Sequence, residues 1–137
     1  MMYPKIPLAQ SIIEICQQKG VQHIVISPGS RNAPLTIGFT NNPYFKCYSI
    51  ADERCAAFFA LGRARATGRP VAVVTTSGTA AAQLLPAAME AYYTHQPLLL
   101  LTADRPRNLR GTGAPQCAEQ VGLFSYYARY MQDIAAS

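Results

Sequence analysis

An acidic side chain, Glu53, stands at the start of an alanine-rich, almost charge-free run that continues to Leu61. Asp52, just before it, is a favourable N-cap, so the run predicts a helix with Glu53 in its first turn, buried on most faces. First-turn N–H groups stabilise a carboxylate, whereas apolar neighbours favour the protonated acid. Glu53 is therefore a candidate for holding or passing a proton near neutrality. The alternative is an ordinary first-turn glutamate that only stabilises its helix.

A loop that follows the first predicted strand carries a serine and an arginine. Pro28 and Gly29 predict a turn there, and Pro34 suits the first turn of the next helix. Ser30 and Arg31 would then lie where a strand gives way to a helix N-terminus, a common position for a bound anion. A capped turn with a solvated arginine explains this loop alone equally well.

Two later loops have the same design. Ser77-Gly78-Thr79 joins a strand to a helix, which again predicts a position for an anion or a polar ligand. Arg105 and Arg107 follow the last predicted strand. Because parallel strands end at one edge of a sheet, the three loops converge there and favour a ligand crevice over independent solvated loops. No GxGxxG or P-loop fingerprint is present, so neither a dinucleotide fold nor a P-loop is indicated.

Helices and strands must alternate to position these residues, which predicts one α/β domain with a mostly parallel sheet. In the first helix the side chains of Leu8, Ile12, Ile13, Ile15 and Cys16 are expected to face inwards. The predicted helices are Ile6–Lys19, Ala33–Thr40, the run after Asp52, and Ala80–Tyr93, broken near Leu85 by Pro86; the predicted strands are Val21–Ser27, Tyr44–Ser49, Val71–Thr76 and Pro97–Thr102.

Further expectations concern single residues and the end of the chain. Gly62 lies inside a helix, where it lowers stability, so another element is expected to pack closely against it. Ala118–Phe124 is compatible with a helical turn or two, and Ser125–Met131 with an extended segment. His23 is interpreted as a residue at a strand end rather than as a metal ligand, because no partner lies at motif spacing.

The composition excludes several functional classes. The 137 residues have a net charge of +5, from 12 Lys+Arg against 7 Asp+Glu, and the arginines are dispersed rather than arranged in a nucleic-acid-binding stripe. No apolar run reaches the roughly 20 residues of a membrane span, and no export signal is visible at the N-terminus. The 4 scattered cysteines indicate reduced thiols in a cytoplasmic protein, and without CxxC pairs or histidines at ligand spacing they do not indicate a zinc site.

Four stretches of the chain resemble a known family. They are SPGSRNAPL from Ser27, DERCAAFFALGRARATGRP from Asp52, TTSGTAAAQLLPAAMEA from Thr75 and LTADRPRNLRGTGAPQ from Leu101. They resemble the N-terminal, pyrimidine-binding domain of thiamine-diphosphate-dependent enzymes, within which SPGSRNAP and ADRPRNLRGTGAPQ are typical of the 2-succinyl-5-enolpyruvyl-6-hydroxy-3-cyclohexene-1-carboxylate synthases of menaquinone biosynthesis. The resemblance implies a three-layer α/β/α, flavodoxin-like fold and a transferase.

The resemblance also implies roles for individual residues. The acid corresponding to Glu53 hydrogen-bonds N1′ of the cofactor's aminopyrimidine and exchanges a proton with it, which activates the cofactor to decarboxylate 2-oxoglutarate and add the succinyl unit to isochorismate. Gly78 and Thr79 are expected near the pyrimidine. Both substrates are carboxylates, which arginine forks bind well. The residues expected to contact substrate are Ser30, Arg31, Arg105 and Gln116.

The resemblance covers only part of such an enzyme. Family members also have a central domain and a C-terminal domain that binds Mg2+ and the diphosphate, and nothing in residues 1–137 resembles that metal motif. The cofactor lies between the pyrimidine domain of one subunit and the diphosphate domain of another, in dimers or tetramers. The sequence is therefore interpreted as a fragment, incomplete at its C-terminus, that holds no metal ligands and is inactive alone.

Two other hypotheses remain open at this stage. The first is a related thiamine-diphosphate decarboxylase or carboligase with a different acceptor. The second is a stand-alone flavodoxin-like module in which Arg31 and Arg105 bind an acidic small ligand.

Overall fold

Helices and strands alternate along residues 3–135, the part of the chain that the computed structural model describes. This alternation confirms the predicted α/β class. The elements are α1 (Pro7–Gln18), β1 (His23–Ile26), α2 (Ala33–Thr40), β2 (Lys46–Ser49), α3 (Glu53–Thr67), β3 (Val71–Thr75), α4 (Thr79–Ala82), α5 (Leu85–Thr94), β4 (Leu98–Thr102) and a short 3-10 helix (Arg107–Leu109).

The four strands form one parallel sheet in the order β2-β1-β3-β4. Val73 of β3 lies opposite Val25 of β1 on one side and Leu100 of β4 on the other. The chain winds outwards from β1 to β2 and then crosses back to β3, so the direction of winding reverses between β1 and β3. In open α/β sheets, ligands bind at such a switch point, outside the carboxyl ends of the strands.

Alternate residues of the central strands face two separate hydrophobic cores. Val25 and Val73 belong to a core shared with α3 and α5, while Ile24 and Val74 belong to a core with Phe39 of α2 and residues of α1. The side-chain period of two in a strand produces this division. The sheet is therefore the middle of three layers, as expected for the α/β/α architecture.

Proline divides the fourth predicted helix in two. α4 ends at Ala82 and α5 begins at Leu85, with Pro86 in its first turn. Proline has no N–H to donate and its ring clashes with the preceding turn, so it is tolerated only at a helix start. The predicted break near Leu85 is confirmed.

The inner face of α1 differs from the prediction at one position. Ile13 and Cys16 are buried, with 1% and 3% of their surface exposed, and Leu8 and Ile12 are partly buried. Ile15 is 54% exposed, so its expected burial was wrong. At about 100° per residue, Ile15 is displaced by about 200° from Ile13 and faces away from the sheet.

α3 is buried along one stripe, not on most faces. Asp52 caps it as predicted, accepting a hydrogen bond from the Cys55 N–H at 3.1 Å. Phe58 and Phe59 are 43% and 38% exposed, and nothing lies within 4 Å of where a Gly62 side chain would begin. The expected close packing at Gly62 is therefore not found among residues 3–135. The buried stripe consists of Ala56, Ala57, Ala60, Leu61 and Ala64.

The strand β4 is half-buried along its whole length, although its leucines predicted full burial. It pairs with β3 alone among the described residues, so one of its sides has no neighbouring strand. An edge position explains the difference.

The segment after β4 contains no regular element beyond the 3-10 helix in the described part of the chain. Residues 121–127 form successive turns, in which the Ser125 N–H donates to the Gly122 carbonyl and the Tyr127 N–H to the Phe124 carbonyl. Gly122 has a φ of 84°, which ends any helix there. Neither the helical turns expected for Ala118–Phe124 nor the extended segment expected for Ser125–Met131 is present.

Two general features complete the description. Within residues 3–135, no helix is long and apolar enough to cross a membrane. Cys16, Cys47, Cys55 and Cys117 are free thiols, of which Cys16 is buried and Cys55 exposed. Burial raises the pKa of the Cys16 thiol to about 11.

Candidate active site

A cleft of about 540 Å³ opens at the carboxyl edge of the sheet. Loops that follow β1 and β3 form two of its walls, so the cleft lies at the switch point of the sheet. A segment far along the chain forms the third wall. The lining residues are Pro28, Glu53, Thr76, Ser77, Gly78, Thr79, Ala80, Gln116, Cys117 and Ala118.

Glu53 provides the carboxyl group that lines this cleft. The end of β2 determines its position. The Ile50 N–H donates to the Ile26 carbonyl, which continues the parallel pairing of β1 and β2, and the Ser27 hydroxyl donates to the Ile50 carbonyl at 2.7 Å. Asp52 then starts α3, and Glu53 is its first residue. The Glu53 side chain is half-buried and has no hydrogen-bond or ion-pair partner within residues 3–135. A carboxyl group at this position can accept or donate one proton to a ligand in the cleft.

The turn after β3 presents its backbone to the same cleft. Gly78 has a φ of 84° and a ψ of −141°, a conformation that is accessible essentially only to glycine. Its N–H donates to the Gln120 side-chain oxygen at 2.8 Å. The expected anion position at this turn is therefore partly filled by the protein itself, and α4, which follows, is only 4 residues long.

Residues 116–118 form the third wall and are held against the β3 loop. The Ser77 hydroxyl donates to the Gln116 carbonyl at 2.9 Å. A Cβ atom on Gly78 would lie 3.2 Å from the Gln116 backbone, so the two segments are in close contact. Gln116 has a φ of 56°, which is uncommon for a residue with a side chain. The structure thus brings Gln116 together with Glu53 and Gly78 at one cleft.

Arg105 lies beside the cleft and reaches it through Gln116. Its Nη2 atom is 3.4 Å from the Gln116 Oε1 atom, a long hydrogen bond. Its Nε atom is buried without a partner among the described residues. The backbone around it is fixed, because the Arg105 N–H donates to Asp104 at 2.7 Å and its carbonyl accepts from the Arg110 Nε at 3.1 Å.

Ser30 and Arg31 are exposed and do not line the cleft that the described residues form. Their loop is nevertheless anchored to it, since the Asn32 side chain donates to the Ser27 carbonyl at 2.9 Å and Gly29 packs against Thr76. Two of the three predicted loops, those after β1 and β3, therefore contribute residues that line the cleft. The third loop contributes Arg105, which contacts the lining residue Gln116.

An ion-pair network ties the loop after β4 to the end of the described chain. Arg110 lies 3.3 Å from Asp104 and donates to both carboxylate oxygens of Asp133, at 3.0 and 3.4 Å. Arg107 also reaches Asp133, at 3.3 Å. The hydrogen bonds between Arg110 and Asp133 lower the pKa of Asp133 below its ordinary value and raise the pKa of Arg110.

Two contributors, Gln120 and Asp133, were not predicted from the sequence. Both act through contacts between residues distant in sequence, and a lone Gln or Asp in a loop gives no local signal.

His23 lies at the start of β1, where its Nδ1 is 3.1 Å from the Tyr48 hydroxyl. Burial, with Arg63 and Lys46 nearby, lowers the pKa of His23. Within residues 3–135, no three His, Cys, Asp or Glu side chains form a group that could hold a metal ion.

Comparison with known proteins gives one family and many relatives. The family described as thiamine pyrophosphate enzyme, N-terminal TPP binding domain, matches residues 6–123. A protein of Flavobacterium psychrophilum is 62% identical over 95% of this chain, and one of Bdellovibrio bacteriovorus is 50% identical over 93% of it. Both are named 2-succinyl-5-enolpyruvyl-6-hydroxy-3-cyclohexene-1-carboxylate synthase. The chain covers 24% of each, so it spans about a quarter of the length of these curated relatives.

Proposed function

The chain belongs to the thiamine pyrophosphate enzymes, and on that premise we propose that it forms the pyrimidine-binding part of a 2-succinyl-5-enolpyruvyl-6-hydroxy-3-cyclohexene-1-carboxylate synthase. The complete enzyme would decarboxylate 2-oxoglutarate and add the succinyl unit to isochorismate, as a transferase in menaquinone biosynthesis.

The observation that carries this proposal is the position of Glu53. Its carboxyl group lines the cleft at the switch point together with Gly78 and Thr79, and it has no partner within the described residues. A half-buried carboxyl without a protein partner suits a ligand that carries a basic ring nitrogen. The cleft of about 540 Å³ has room for a substituted pyrimidine. The residues present therefore fit the aminopyrimidine end of thiamine diphosphate.

When bound, thiamine diphosphate supplies the nucleophilic carbon and the electron sink that a 2-oxo acid needs in order to lose CO2. Glu53 would hydrogen-bond N1′ of the pyrimidine and hold or pass a proton there. The N-terminus of α3 stabilises the charged form of the carboxyl group after the proton has left. Gly78 and Thr79 would contact the pyrimidine through the turn after β3.

The substrates are carboxylates, and the residues proposed to bind them are polar or cationic. Arg105 and Gln116 contact one another at the wall of the cleft, which supports a shared role for them. Ser30 and Arg31 are exposed on the anchored loop after β1, where a substrate or another part of the complete enzyme could reach them. Arginine forks bind carboxylates with two parallel hydrogen bonds.

The remaining half of the cofactor site would come from outside residues 1–137. We propose that a diphosphate-binding domain of a partner subunit holds Mg2+ and the diphosphate, with a central domain between the two. The complete protein would be a cytoplasmic homodimer or homotetramer, and the isolated chain would be inactive. The relatives' length, about four times that of this chain, supports this division.

The test is an assay of the complete enzyme that carries this chain. With thiamine diphosphate and Mg2+, it should release CO2 from 2-oxoglutarate and form the succinyl adduct only when isochorismate is present. Release of CO2 with transfer to other acceptors would indicate a related carboligase instead. Calorimetry of the isolated chain provides a second test, because micromolar binding of thiamine diphosphate without the other domains would contradict the half-site proposal.

A further inference from the structure

We propose that Gln120 is a positioning residue for the candidate active site, which it serves by joining the turn after β3 to the end of β4. Its Oε1 atom accepts a hydrogen bond from the Gly78 N–H at 2.8 Å, and its Nε2 atom donates to the Ala103 carbonyl at 2.9 Å. The inference rests on the proposed function, because it assigns a role within that same site.

The bridge requires a carboxamide. The Gly78 N–H needs an acceptor and the Ala103 carbonyl needs a donor, and Gln120 presents one of each from a single planar group. A glutamate would keep the acceptor but would lose the donor when ionised. A methionine of similar length would lose both. Gln120 itself does not line the cleft, so any effect on the chemistry must pass through the residues that it holds.

The backbone next to this bridge has uncommon conformations. Gly78 and Gln116 both have positive φ values, 84° and 56°, and their backbones are in contact. Uncommon backbone conformations persist only where the surrounding contacts impose them. Gln120 fixes the Gly78 N–H, and Ser77 fixes the Gln116 carbonyl at 2.9 Å. Together these bonds set the distance between the β3 turn and the wall of the cleft.

The fold does not depend on this bridge alone. Phe124, four residues further on, is buried in the core with α3 and α5 and anchors the segment independently. Its other end contacts the loop after β4, because the Cys117 thiol lies 3.3 Å from the Leu109 carbonyl oxygen. Loss of the Gln120 carboxamide should therefore loosen the turn and the wall while leaving the domain folded.

The experiment compares Gln120→Met, Gln120→Glu and the control Glu119→Gln in the complete enzyme. Glu119 is exposed, and its side chain makes no hydrogen bond or ion pair among the described residues. Hydrogen exchange of peptides covering residues 76–80 measures the bridge directly. Gln120→Met should increase the exchange rate of the Gly78 N–H by about tenfold, because that is the expected effect of losing one hydrogen bond. Gln120→Glu should retain most of the protection, and the control all of it. Unchanged exchange in Gln120→Met would overturn the proposal.

The functional measurement separates positioning from general stability. Gln120→Met should raise KM for the dicarboxylate substrates about three- to tenfold, whereas the unfolding midpoint should fall by only a few degrees, as expected for one lost hydrogen bond. In a double-mutant cycle with Gln116→Ala, the two effects on KM should not add, because Gln120 acts through Gln116. Additive effects would overturn the positioning role. If the parent enzyme lacks synthase activity, the proposed function fails, while exchange at Gly78 and affinity for thiamine diphosphate still decide the bridge.

Discussion

Gly29 and Thr76 lie so close together that a Cβ atom on Gly29 would overlap the Thr76 side chain, at 2.8 Å from its Cγ2 and 2.9 Å from its Oγ1. The two residues follow β1 and β3, the strands between which the winding of the sheet reverses. Thr76 lines the cleft, so the cleft lies directly beside this contact. Only a residue without a side chain permits it.

Substitution of two glycines should have opposite effects on stability. Gly29→Ala forces the loops after β1 and β3 apart and should destabilise the domain by about 1–3 kcal/mol. Gly62→Ala, in the middle of α3 with open space around it, should stabilise the domain by about 1 kcal/mol. Urea denaturation measures both. A destabilising Gly62→Ala in the complete protein would reveal a close neighbour from outside this chain.

Glu53→Gln should abolish most of the synthase activity. The amide preserves shape and can make one hydrogen bond, but it cannot pass a proton, so kcat should fall by roughly two to four orders of magnitude. Steady-state kinetics of the complete enzyme give the value. The matched control is Glu90→Gln, on the exposed side of α5, which should leave kcat unchanged. An undiminished rate in Glu53→Gln removes the proposed role.

Arg31→Lys and Arg105→Lys should impair substrate binding more than cofactor binding. Lysine keeps the charge but cannot form two parallel hydrogen bonds to a carboxylate, so KM for the dicarboxylates should rise about tenfold. Affinity for thiamine diphosphate, measured by calorimetry, should stay within about twofold. Arg65→Lys, at an exposed position of α3, serves as the control. Equal losses of substrate and cofactor affinity would contradict a specific substrate role.

The Asp133 ion pairs should make stability depend on acid pH. Since Arg110 lowers the pKa of Asp133 in the fold, folding favours the carboxylate, and its contribution is complete above the ordinary pKa of about 4. That contribution is lost as the pH falls through the lower pKa of the folded state. Asp133→Asn should therefore reduce the unfolding free energy at pH 6, and the difference from the parent should shrink towards pH 2. A constant difference across this range would argue against the ion pairs.

The cysteines should differ strongly in reactivity. Cys55 is exposed, whereas Cys16 is buried with a pKa raised to about 11, which lowers its thiolate fraction about 100-fold relative to an ordinary thiol. Iodoacetamide at pH 8 should modify Cys55 within minutes and Cys16 only after unfolding by urea. Mass spectrometry of peptides identifies the modified sites. Early modification of Cys16 would mean that α1 opens locally.

Local patterns predicted the elements because they depend on neighbours in sequence. The β-branched run of β3, the Asp52 cap and Pro86 each act within one turn or one strand, and all three predictions are confirmed. Ile15 was predicted to be buried from its hydrophobicity alone, and the helical period places it on the outer face instead.

Contacts between distant residues could not be predicted in the same way. The side chains of Gln120 and Asp133 find their partners through turns whose course no periodicity specifies. The exposure of Phe58 and Phe59 depends on what else covers α3, which residues 3–135 do not supply. The position of Glu53 in the cleft did follow from sequence, because a strand end and a helix cap together fix a first-turn residue.

The outer side of β4 has a practical consequence for handling this polypeptide. Four successive leucines run along that strand without a charge, whereas β2, at the opposite margin, carries Lys46. Uncharged sheet edges of this kind form backbone hydrogen bonds with extended segments of other chains. Preparations of residues 1–137 by themselves should thus become turbid as concentration rises.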